Sequence, residues 1–493
     1  MSAAATNPAG AGGAARGWET VVGLEVHVQL LTRTKMFCAC STAFGDPPNT
    51  NVCPVCLGLP GALPVPNERA VRLAARAAYG LGLAVHPRSI FARKNYFYPD
   101  LPKGYQISQH TEPLSTGGRL EIATPDRGNV TIGITRIHVE EDAAKSFHDR
   151  VPGMTAVDFN RSGVPLIEIV GEPDLRSPAE ARAYLTALKQ VLLYLEVSDC
   201  SMEEGSLRVD ANVSVRPAGS AELRTRCEIK NLNSFANVER ALGFERDRQI
   251  AEYQRGGTIE QRTMTFDAAK GEVRPVRSKE ESHDYRYFPE PDLPPLVLEA
   301  AWLAEVRASL PELPAAKRER FQATYELSSN DAGVVTATAA IAAAFESFVT
   351  LSGASGGKEA WNWFANDLLS LSADGETIPL PLERAAEAVK LVKAGKIARQ
   401  ALRPLLARMV EAPSADAAAL AQGLGFIQVS DTGEIDGWVR EVIGAHPGEV
   451  TRCRRGEAKL FGFLVGQVMK RSKGRADPKL VNAALQAGLK AGG

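Results

Sequence analysis

The sequence has no apolar run that approaches the length needed to cross a bilayer. Residues 1–17 are rich in Ala and Gly and lack the continuous apolar core of a signal peptide. We therefore expect a disordered tail at residues 1–17 and a cytoplasmic protein with no membrane partner. The chain also has no Walker A sequence and no Gly-rich fingerprint after a strand, so any ATP would be held by a fold without a P-loop.

The net charge is also close to zero, because the sequence contains 57 Lys and Arg residues and 58 Asp and Glu residues. This balance excludes a chain coated with basic residues. Residues 452–490, however, contain ten Lys or Arg residues and two acidic ones. A basic module at one end of an acidic body favours binding of a polyanion. A solvated helical face is the alternative interpretation.

Cysteine is scarce, and the seven cysteines are an odd number, as is typical of proteins from a reducing compartment. Four of them form two pairs, Cys38/Cys40 and Cys53/Cys56, separated by a loop rich in Pro, Gly and Asn. This spacing indicates a tetrahedral zinc site. We predict structural zinc, because four sulfur ligands leave no open position for substrate; free structural thiols are the alternative.

The pattern along the chain predicts three parts after the tail. Residues 18–298 show period-two alternation with many Gly and Pro turns, which is typical of strands. Residues 299–412 carry Ala, Leu, Glu and Lys at helical spacing, and a smaller basic helical segment covers residues 413–493. We predict an α+β fold with an N-terminal antiparallel β-rich domain, an all-α domain and a small α-helical tail domain.

Two segments of the β-rich part resemble each other, NYFYPDLP at 95–102 and YRYFPEPDLPP at 285–295. They are either paired loops of one site or a chance similarity between Pro-rich turns.

Four predicted strands place polar side chains on one face. In LEVHVQL, at 24–30, the apolar residues share one face, so Glu25, His27 and Gln29 share the other. The other three strands repeat this pattern, with the polar residues Arg136, His138 and Glu140; Arg208, Asp210, Asn212, Ser214 and Arg216; and Arg226, Glu228 and Lys230.

If these strands share a sheet, one face of it is a floor of carboxylates, imidazole and cations. Hard oxygen ligands beside Arg and Lys suit a site for Mg²⁺ and a nucleotide, because the cations neutralise the transferring phosphoryl group. The alternative is an antiparallel sheet that exposes alternating charges to water.

Eight motifs closely resemble, in the same order, the B-subunit family of the aspartyl/glutamyl-tRNA(Asn/Gln) amidotransferases. They are GLEVHVQL, the cysteine loop, RKNYFYPDLPKGYQISQ, RIHVEEDAAKS, DFNRSGVPLIEIV, MEEGSLRVDANVSVR, EIKNLNSF and RSKEESHDYRYFPEPDLPP. The resemblance runs from about Glu19 to the C-terminus. It implies a cradle-shaped domain related to the glutamine synthetase fold, then a helical domain, then a tail domain similar to a small tRNA-associated helical protein.

The resemblance also implies an ATP-dependent carbon–nitrogen ligase. ATP would phosphorylate the side-chain carboxylate of Glu-tRNA(Gln) or Asp-tRNA(Asn), and ammonia would displace the phosphate; the sequence leaves open which of the two is the main substrate. The implied cofactors are ATP, Mg²⁺ and structural Zn²⁺. The implied metal or metal-phosphate ligands are Glu25, His27, Glu140 and Asp210, with Glu141, Glu204 and Glu228 as reserves. Lys94 and Lys103 would neutralise phosphate charge, and Arg208 and Lys230 are weaker candidates for the same role. His86, His110, His148 and His446 are interpreted as structural or surface residues.

Ammonia must come from elsewhere, because the chain carries no amidase signature; the stretch SGASGGKEA from Ser352 is too short. The resemblance implies a heterotrimer with an amidase (glutaminase) A subunit and a small C subunit, acting on mischarged tRNA. Candidate tRNA-binding residues in the tail are Lys470, Arg471, Lys473 and Arg475. Two alternatives stay open: a small-molecule amide ligase similar to glutamine synthetase, and a non-catalytic, zinc-stabilised tRNA-binding scaffold.

Overall fold

The structure is a computed structural model, and it describes residues 17–276, 285–429, 431–472 and 474–490. The chain divides into two compact units, Met1–Leu313 and Pro314–Gly493. The predicted tail at residues 1–17 lies outside the described residues apart from Gly17. The domain boundaries at residues 298 and 412 stay predictions.

The first unit contains a large sheet, three smaller sheets and the first four helices of the chain. Its strands are β1 (Trp18–Gln29), β2 (Ala84–Val85), β3 (Arg88–Ser89), β4 (Phe91–Asn95), β5 (Tyr105–Gln109), β6 (Ser115–Thr124), β7 (Gly128–Glu141), β8 (Lys145–Val151), β9 (Met154–Asp158), β10 (Pro165–Gly171), β11 (Leu207–Pro217), β12 (Cys227–Leu232), β13 (Thr263–Asp267), β14 (Glu272–Pro275), β15 (Phe288–Pro289) and β16 (Leu296–Val297). Its helices are α1 (Glu68–Gly80), α2 (Pro178–Tyr194), α3 (Phe235–Gln254) and α4 (Ala300–Ala308).

The large sheet has nine strands in the order β14-β13-β12-β11-β1-β10-β7-β6-β2. Adjacent strands in this sheet are antiparallel, except that β12 and β13 run parallel. The central strand β1 pairs with β10 on one side and with β11 on the other. A strand in this position has no free edge, so its register is set from both sides.

The two faces of this sheet differ in chemistry. On β1, Leu24, Val26 and Val28 are at most 1% exposed and belong to the main hydrophobic core, against which α1, α2 and α3 pack. Glu25 and His27 alternate with these residues and point to the opposite face. Burial of the apolar face under helices therefore forces the polar residues of β1 onto the other side of the sheet.

A second, three-stranded sheet, β15-β4-β5, lies over part of the polar face. Strand β5 packs against β7, and the side-chain oxygen of Gln109, at the end of β5, accepts a hydrogen bond from Val139 N. Strand β15 joins this sheet through β4. The polar face of the large sheet thus becomes a floor, with β4, β5 and β15 above it.

The second unit is helical throughout its described elements. They are α5 (Pro314–Tyr325), α6 (Ser329–Val335), α7 (Ala339–Ser352), α8 (Gly357–Trp363), a π-helical turn at Phe364–Leu368, short 3₁₀ turns at Leu369–Leu371 and Arg399–Ala401, α9 (Leu382–Lys393), α10 (Leu402–Glu411), α11 (Ala417–Gly423), α12 (Thr432–Ala445), α13 (Pro447–Arg454), α14 (Ala458–Arg471) and α15 (Pro478–Lys490). One apolar cluster surrounds Phe345 and Phe364, and another surrounds Leu464 and Val468.

The molecule therefore mixes α and β structure, with a large N-terminal sheet domain and a helical C-terminal region, and the predicted fold class is confirmed to that extent. Taken singly, no described helix has the length and apolar composition to cross a membrane; α6 and α7 meet those criteria only as a pair bent by 109°.

Candidate active site

Cross-strand register aligns the polar residues of four strands in one row. Arg208 on β11 lies opposite His27 on β1, and His27 lies opposite Glu168 on β10. Glu168 in turn lies opposite His138 on β7. Directly opposed residues have Cβ atoms about 5 Å apart, so their side chains interact. We call this line of Arg208, His27, Glu168 and His138 the central row.

Parallel lines flank the central row on the same face. On one side, Asp210, Glu25, Val170 and Arg136 are aligned across β11, β1, β10 and β7. On the other side, Glu140 on β7 lies opposite Leu166 on β10, which lies opposite Gln29 on β1. The first of these lines is mainly charged and the second contributes Glu140, and a charge on a buried face costs free energy unless it is paired.

Apart from Val170 and Gln29, the residues of the three lines surround one cavity of about 460 Å³. Its walls include most of the predicted site residues, namely Glu25, His27, Lys94, Glu140, Arg208, Asp210, Glu228 and Lys230. The structure therefore places these eight side chains in a single site. Further lining residues come from the floor, from β5 and from the segments next to the strands: Tyr96, Gln106, Gln109, His110, Arg136, His138, Asp142, Ala143, Leu166, Glu168, Tyr285 and Tyr287.

Two histidines and two glutamates form a closed cluster at the centre of the floor. His27 Nε2 lies 3.6 Å from Glu140 Oε1 and 3.4 Å from Glu168 Oε2. His138 Nε2 lies 3.1 Å from the same Glu168 oxygen and 3.7 Å from Glu140 Oε2. One ligand atom from each of His27, Glu140 and Glu168 falls within 4.8 Å of the others, so these three residues could hold a metal ion.

Within this cluster the pKa values of the histidines are raised and those of the glutamates are lowered. Burial alone would lower the pKa of His138, but hydrogen bonds to Glu140 and Glu168 and their negative charges raise it to about 9. His27 shows the same balance, and its pKa is raised. Burial opposes ionisation of Glu168, yet its bonds to both imidazoles hold its pKa well below the ordinary value. In the absence of a metal ion, the imidazolium groups thus supply the positive charge that the carboxylates need.

The cations of the cavity differ in their partners. Arg208 Nη2 lies 2.9 Å from Asp142 Oδ2. Lys230 Nζ lies 3.3 Å from Asp210 and 3.2 Å from Glu228. Such pairs fix the carboxylates in place.

Lys94 projects from β4 over the cavity, with its Nζ 4.8 Å from the centre of the Tyr285 ring. Burial alone would lower the pKa of its ammonium, but Glu140, Tyr287, Tyr285 and Glu168 together outweigh burial and raise that pKa. Lys94 therefore stays charged above the carboxylate floor.

Aromatic rings surround the cavity opening, and they come from the two similar segments identified in the sequence. Asn95 N donates a hydrogen bond of 3.0 Å to Tyr285 O, so the segments lie side by side. The rings of Tyr96 and Tyr285 are 5.9 Å apart. This arrangement agrees with the first interpretation of the similarity, that the two segments are paired loops of one site.

An ion pair holds the second segment in place. Arg93 on β4 donates two hydrogen bonds of 2.7 Å to the buried carboxylate of Glu290, and its guanidinium lies over the Tyr105 ring. This paired geometry fixes the loop that carries Tyr285 and Tyr287.

Three predicted residues lie elsewhere. Glu141 follows Glu140 on β7, so its side chain points away from the floor and pairs with Lys103. Both line a separate small cavity beside the cysteine loop. Glu204 is exposed in the turn before β11, where strand alternation does not apply.

Sequence reasoning missed several lining residues. Glu168 lies within the apolar run PLIEIV, which hides the alternation because Leu166 and Val170 share its face. His138 lies on a predicted polar face but was not among the predicted site residues. His110 was interpreted as a structural or surface residue, yet it lines the cavity and stacks on Tyr287 at 4.1 Å. Loop residues such as His110 have no periodicity that could have revealed them.

The four cysteines of the predicted zinc loop come together. One sulfur atom from each of Cys38, Cys40, Cys53 and Cys56 lies within 4.8 Å of the others, and this cluster could hold a metal ion. A hydrogen bond with Cys38 and the charge of Lys35 lower the pKa of Cys56 to about 4, although burial opposes this shift. Lys35 is completely buried, with its Nζ 3.6 Å from Cys56 Sγ. Its ammonium would offset part of the charge of four thiolates.

The tail residues lie in the second unit. Lys470 and Arg471 are exposed at the end of α14, and Arg471 Nε donates to Glu441 at 2.7 Å. Arg475 is half-buried in the turn that follows. Lys473 lies outside the described residues.

Comparison with known proteins identifies the family. The pattern described as the GatB/GatE catalytic domain matches residues 20–304, and the pattern described as the GatB domain matches residues 343–489. The chain belongs to the GatB family. The resemblance stated from the sequence motifs is thereby confirmed.

Close relatives extend along nearly the whole chain. The aspartyl/glutamyl-tRNA(Asn/Gln) amidotransferase B subunit of Moorella thermoacetica is 50% identical over 475 residues, which is 95% of this chain and 99% of the relative. The protein of the same name from Halorhodospira halophila is 50% identical over 473 residues, 95% and 98% of the two chains. That from Alkalilimnicola ehrlichii is 49% identical over 477 residues, 95% and 98% of the two chains. These GatB proteins are named as subunits of a larger amidotransferase.

The contacts between the two histidines and the two glutamates lead to one testable prediction, which concerns the pKa of His138. In protein without added divalent cations, replacing Glu168 by Gln removes one of the two carboxylates that raise the pKa of His138, so that pKa should fall from about 9 toward the ordinary value of His. Histidine-selective NMR titration would measure it. Glu121→Gln, an exposed glutamate on β6, is the matched control and should leave the titration unchanged. An unshifted, ordinary His138 pKa in the unmutated protein would contradict the pairing.

Proposed function

We propose that this chain activates the side-chain carboxylate of an aminoacyl group on tRNA, by ATP-dependent phosphorylation, for attack by ammonia. The observation that carries the proposal is the single cavity that combines the His27, Glu140 and Glu168 cluster with lysine and arginine side chains. A carboxylate resists attack by an amine until one oxygen becomes a good leaving group, and phosphorylation supplies this. The relation of the first unit to the glutamine synthetase fold, which binds ATP without a P-loop, is part of the same proposal.

The cavity residues have distinct roles in this reaction. His27, Glu140 and Glu168 would hold Mg²⁺, with Glu25 and Asp210 close by on the same face; when bound, the ion neutralises charge on the phosphoryl oxygens. Lys94 places its ammonium above this cluster, where a phosphate would lie. Arg208 and Lys230, already paired with carboxylates, keep Asp142, Asp210 and Glu228 oriented toward the cavity.

The second chemical step needs ammonia, which we assign to a partner. Ammonia attacks the acyl phosphate carbon, the carbon–oxygen bond to phosphate breaks, and inorganic phosphate leaves. A glutaminase A subunit with a small C subunit would generate the ammonia, and the relatives are named as subunits of an amidotransferase. Glu-tRNA(Gln) and Asp-tRNA(Asn) are both candidate substrates, since the relatives carry both in their name.

Phosphoryl transfer tests the proposal directly. With the purified complex, γ-labelled ATP and Glu-tRNA(Gln) or Asp-tRNA(Asn) side by side, His27→Ala should lower the rate of transfer by about 10²-fold or more, because a ligand of the central cluster is lost. The control is His86→Ala, whose ring bonds Thr116 outside the cavity. Equal rates for His27→Ala and the control would favour a non-catalytic, tRNA-binding scaffold, and transfer to free glutamate would favour a small-molecule ligase.

We also propose that the four-cysteine cluster binds structural zinc. Cys53→Ser should remove about one equivalent of zinc, measured by mass spectrometry of the purified protein, and lower the midpoint of denaturant unfolding of the first unit, because structural zinc contributes to folding. Cys453→Ser, in the second unit and outside the cluster, should retain the metal. Zinc retained in full by Cys53→Ser would contradict the assignment.

Binding of tRNA by the tail is a further part of the proposal. The double substitution Lys470→Glu and Arg471→Glu should weaken tRNA binding and flatten its salt dependence by about one unit of slope per lost phosphate contact. Filter binding across a salt series measures this, and ATP affinity should stay unchanged. Arg403→Glu, another exposed arginine of the second unit, is the control. Equal loss of tRNA and ATP binding would count against separate roles for the two units.

A further inference from the structure

Arg136 differs from the other arginine of the cavity. Arg208 lies 2.9 Å from Asp142, and Lys230 on β12 also has carboxylate partners. Arg136 also lines the cavity, but among the described residues no carboxylate lies within ion-pair distance of it, and its buried Nε has no hydrogen-bond partner. A buried guanidinium N–H without an acceptor costs free energy unless a ligand supplies one.

The position of Arg136 indicates which kind of ligand would supply this acceptor. It precedes His138 by two residues on β7, so their side chains share a face with Cβ atoms about 7 Å apart. Glu168, one of the three residues that could hold a metal ion, lies directly opposite His138. Arg136 therefore reaches toward the same space as a metal held by this cluster, from the side opposite Lys230.

The chemistry of the group favours a phosphoryl oxygen. A guanidinium is planar, permanently charged, and presents paired N–H donors that match two oxygens of a phosphate. A free carboxylate or a phosphodiester brings no metal ion with it, whereas a nucleotide phosphate brings its own Mg²⁺, which the cluster of His27, Glu140 and Glu168 could hold.

We propose that Arg136 is a catalytic residue that binds the phosphoryl group transferred from ATP, and this rests on the function proposed above. In the step, a carboxylate oxygen of the aminoacyl group attacks the γ-phosphorus, the bond from that phosphorus to the β,γ-bridging oxygen breaks, and ADP leaves with the electron pair. Arg136 donates N–H bonds to the equatorial oxygens and transfers no proton. These bonds strengthen as the phosphoryl group becomes planar.

The test uses the intact complex and the variants Arg136→Gln, Arg136→Lys and Arg136→Ala. Loss of one preorganised donor group should lower kcat for γ-phosphate transfer by about 10²- to 10³-fold in Arg136→Gln, with a smaller change in KM for tRNA. Arg136→Lys should keep part of the rate, because the charge remains but the paired donors do not. Added guanidinium should partly restore Arg136→Ala. Arg119→Gln, an exposed arginine on the neighbouring strand β6, is the matched control.

Binding measurements separate the possible outcomes. Wild-type complex should prefer ATP to ADP, and Arg136→Gln should lose that preference, even if no phosphoryl transfer is detected in any form of the protein. Absence of transfer in the wild type would thus overturn the proposed function, whereas the ATP-to-ADP preference decides the role of Arg136. An unchanged preference with unchanged kcat, or weakened binding of tRNA alone, would overturn the role of Arg136 at the phosphoryl group. If Arg136→Gln does not fold, Arg136→Lys and the guanidinium rescue decide the same question.

Discussion

Cross-strand register between β7, β10, β1 and β11 is the constraint on which the rest of the site depends. It places Arg208, His27, Glu168 and His138 in line, although they come from strands far apart in the sequence. If the pairing of any two of these strands shifted by one residue, charged side chains would point into the apolar core under the helices. Apolar side chains would then point into the cavity. The apolar residues between them, such as Val26, are fully buried, so the core itself maintains the arrangement of the charged groups.

The floor is stable because its charges are matched in pairs before any ligand binds. Asp142 is fixed by Arg208, and the pKa values of Glu140 and Glu168 are held low by two imidazoles whose own pKa values are raised. Two groups are exceptions: burial and the neighbouring carboxylates raise the pKa of Glu25, and the buried Nε of Arg136 has no hydrogen-bond partner among the described residues. An incoming cation would relieve this repulsion. The cavity thus presents both a carboxylate that a cation would stabilise and a guanidinium N–H that lacks an acceptor.

The sequence allowed prediction of residues whose position follows from local periodicity, from cysteine spacing or from a resembled motif, such as Lys94. Alternation identified Glu25 and His27 correctly as neighbours on one face, because β1 is regular from end to end. It failed for Glu168, whose strand is apolar on both faces. The placement of Tyr287 depends on an ion pair between Arg93 and Glu290, nearly two hundred residues apart, and no local pattern encodes such a contact.

The end of β7 connects the cysteine loop to the cavity. Glu140 faces the floor and accepts a hydrogen bond from Ser108 Oγ, while its neighbour Glu141 faces the other way and accepts bonds from Lys103 and from Ile107 N. The cavity around Glu141 is also lined by Cys56 and Lys35. Glu141 and Glu140, adjacent on β7, therefore place one carboxylate beside the cysteine loop and the other in the floor.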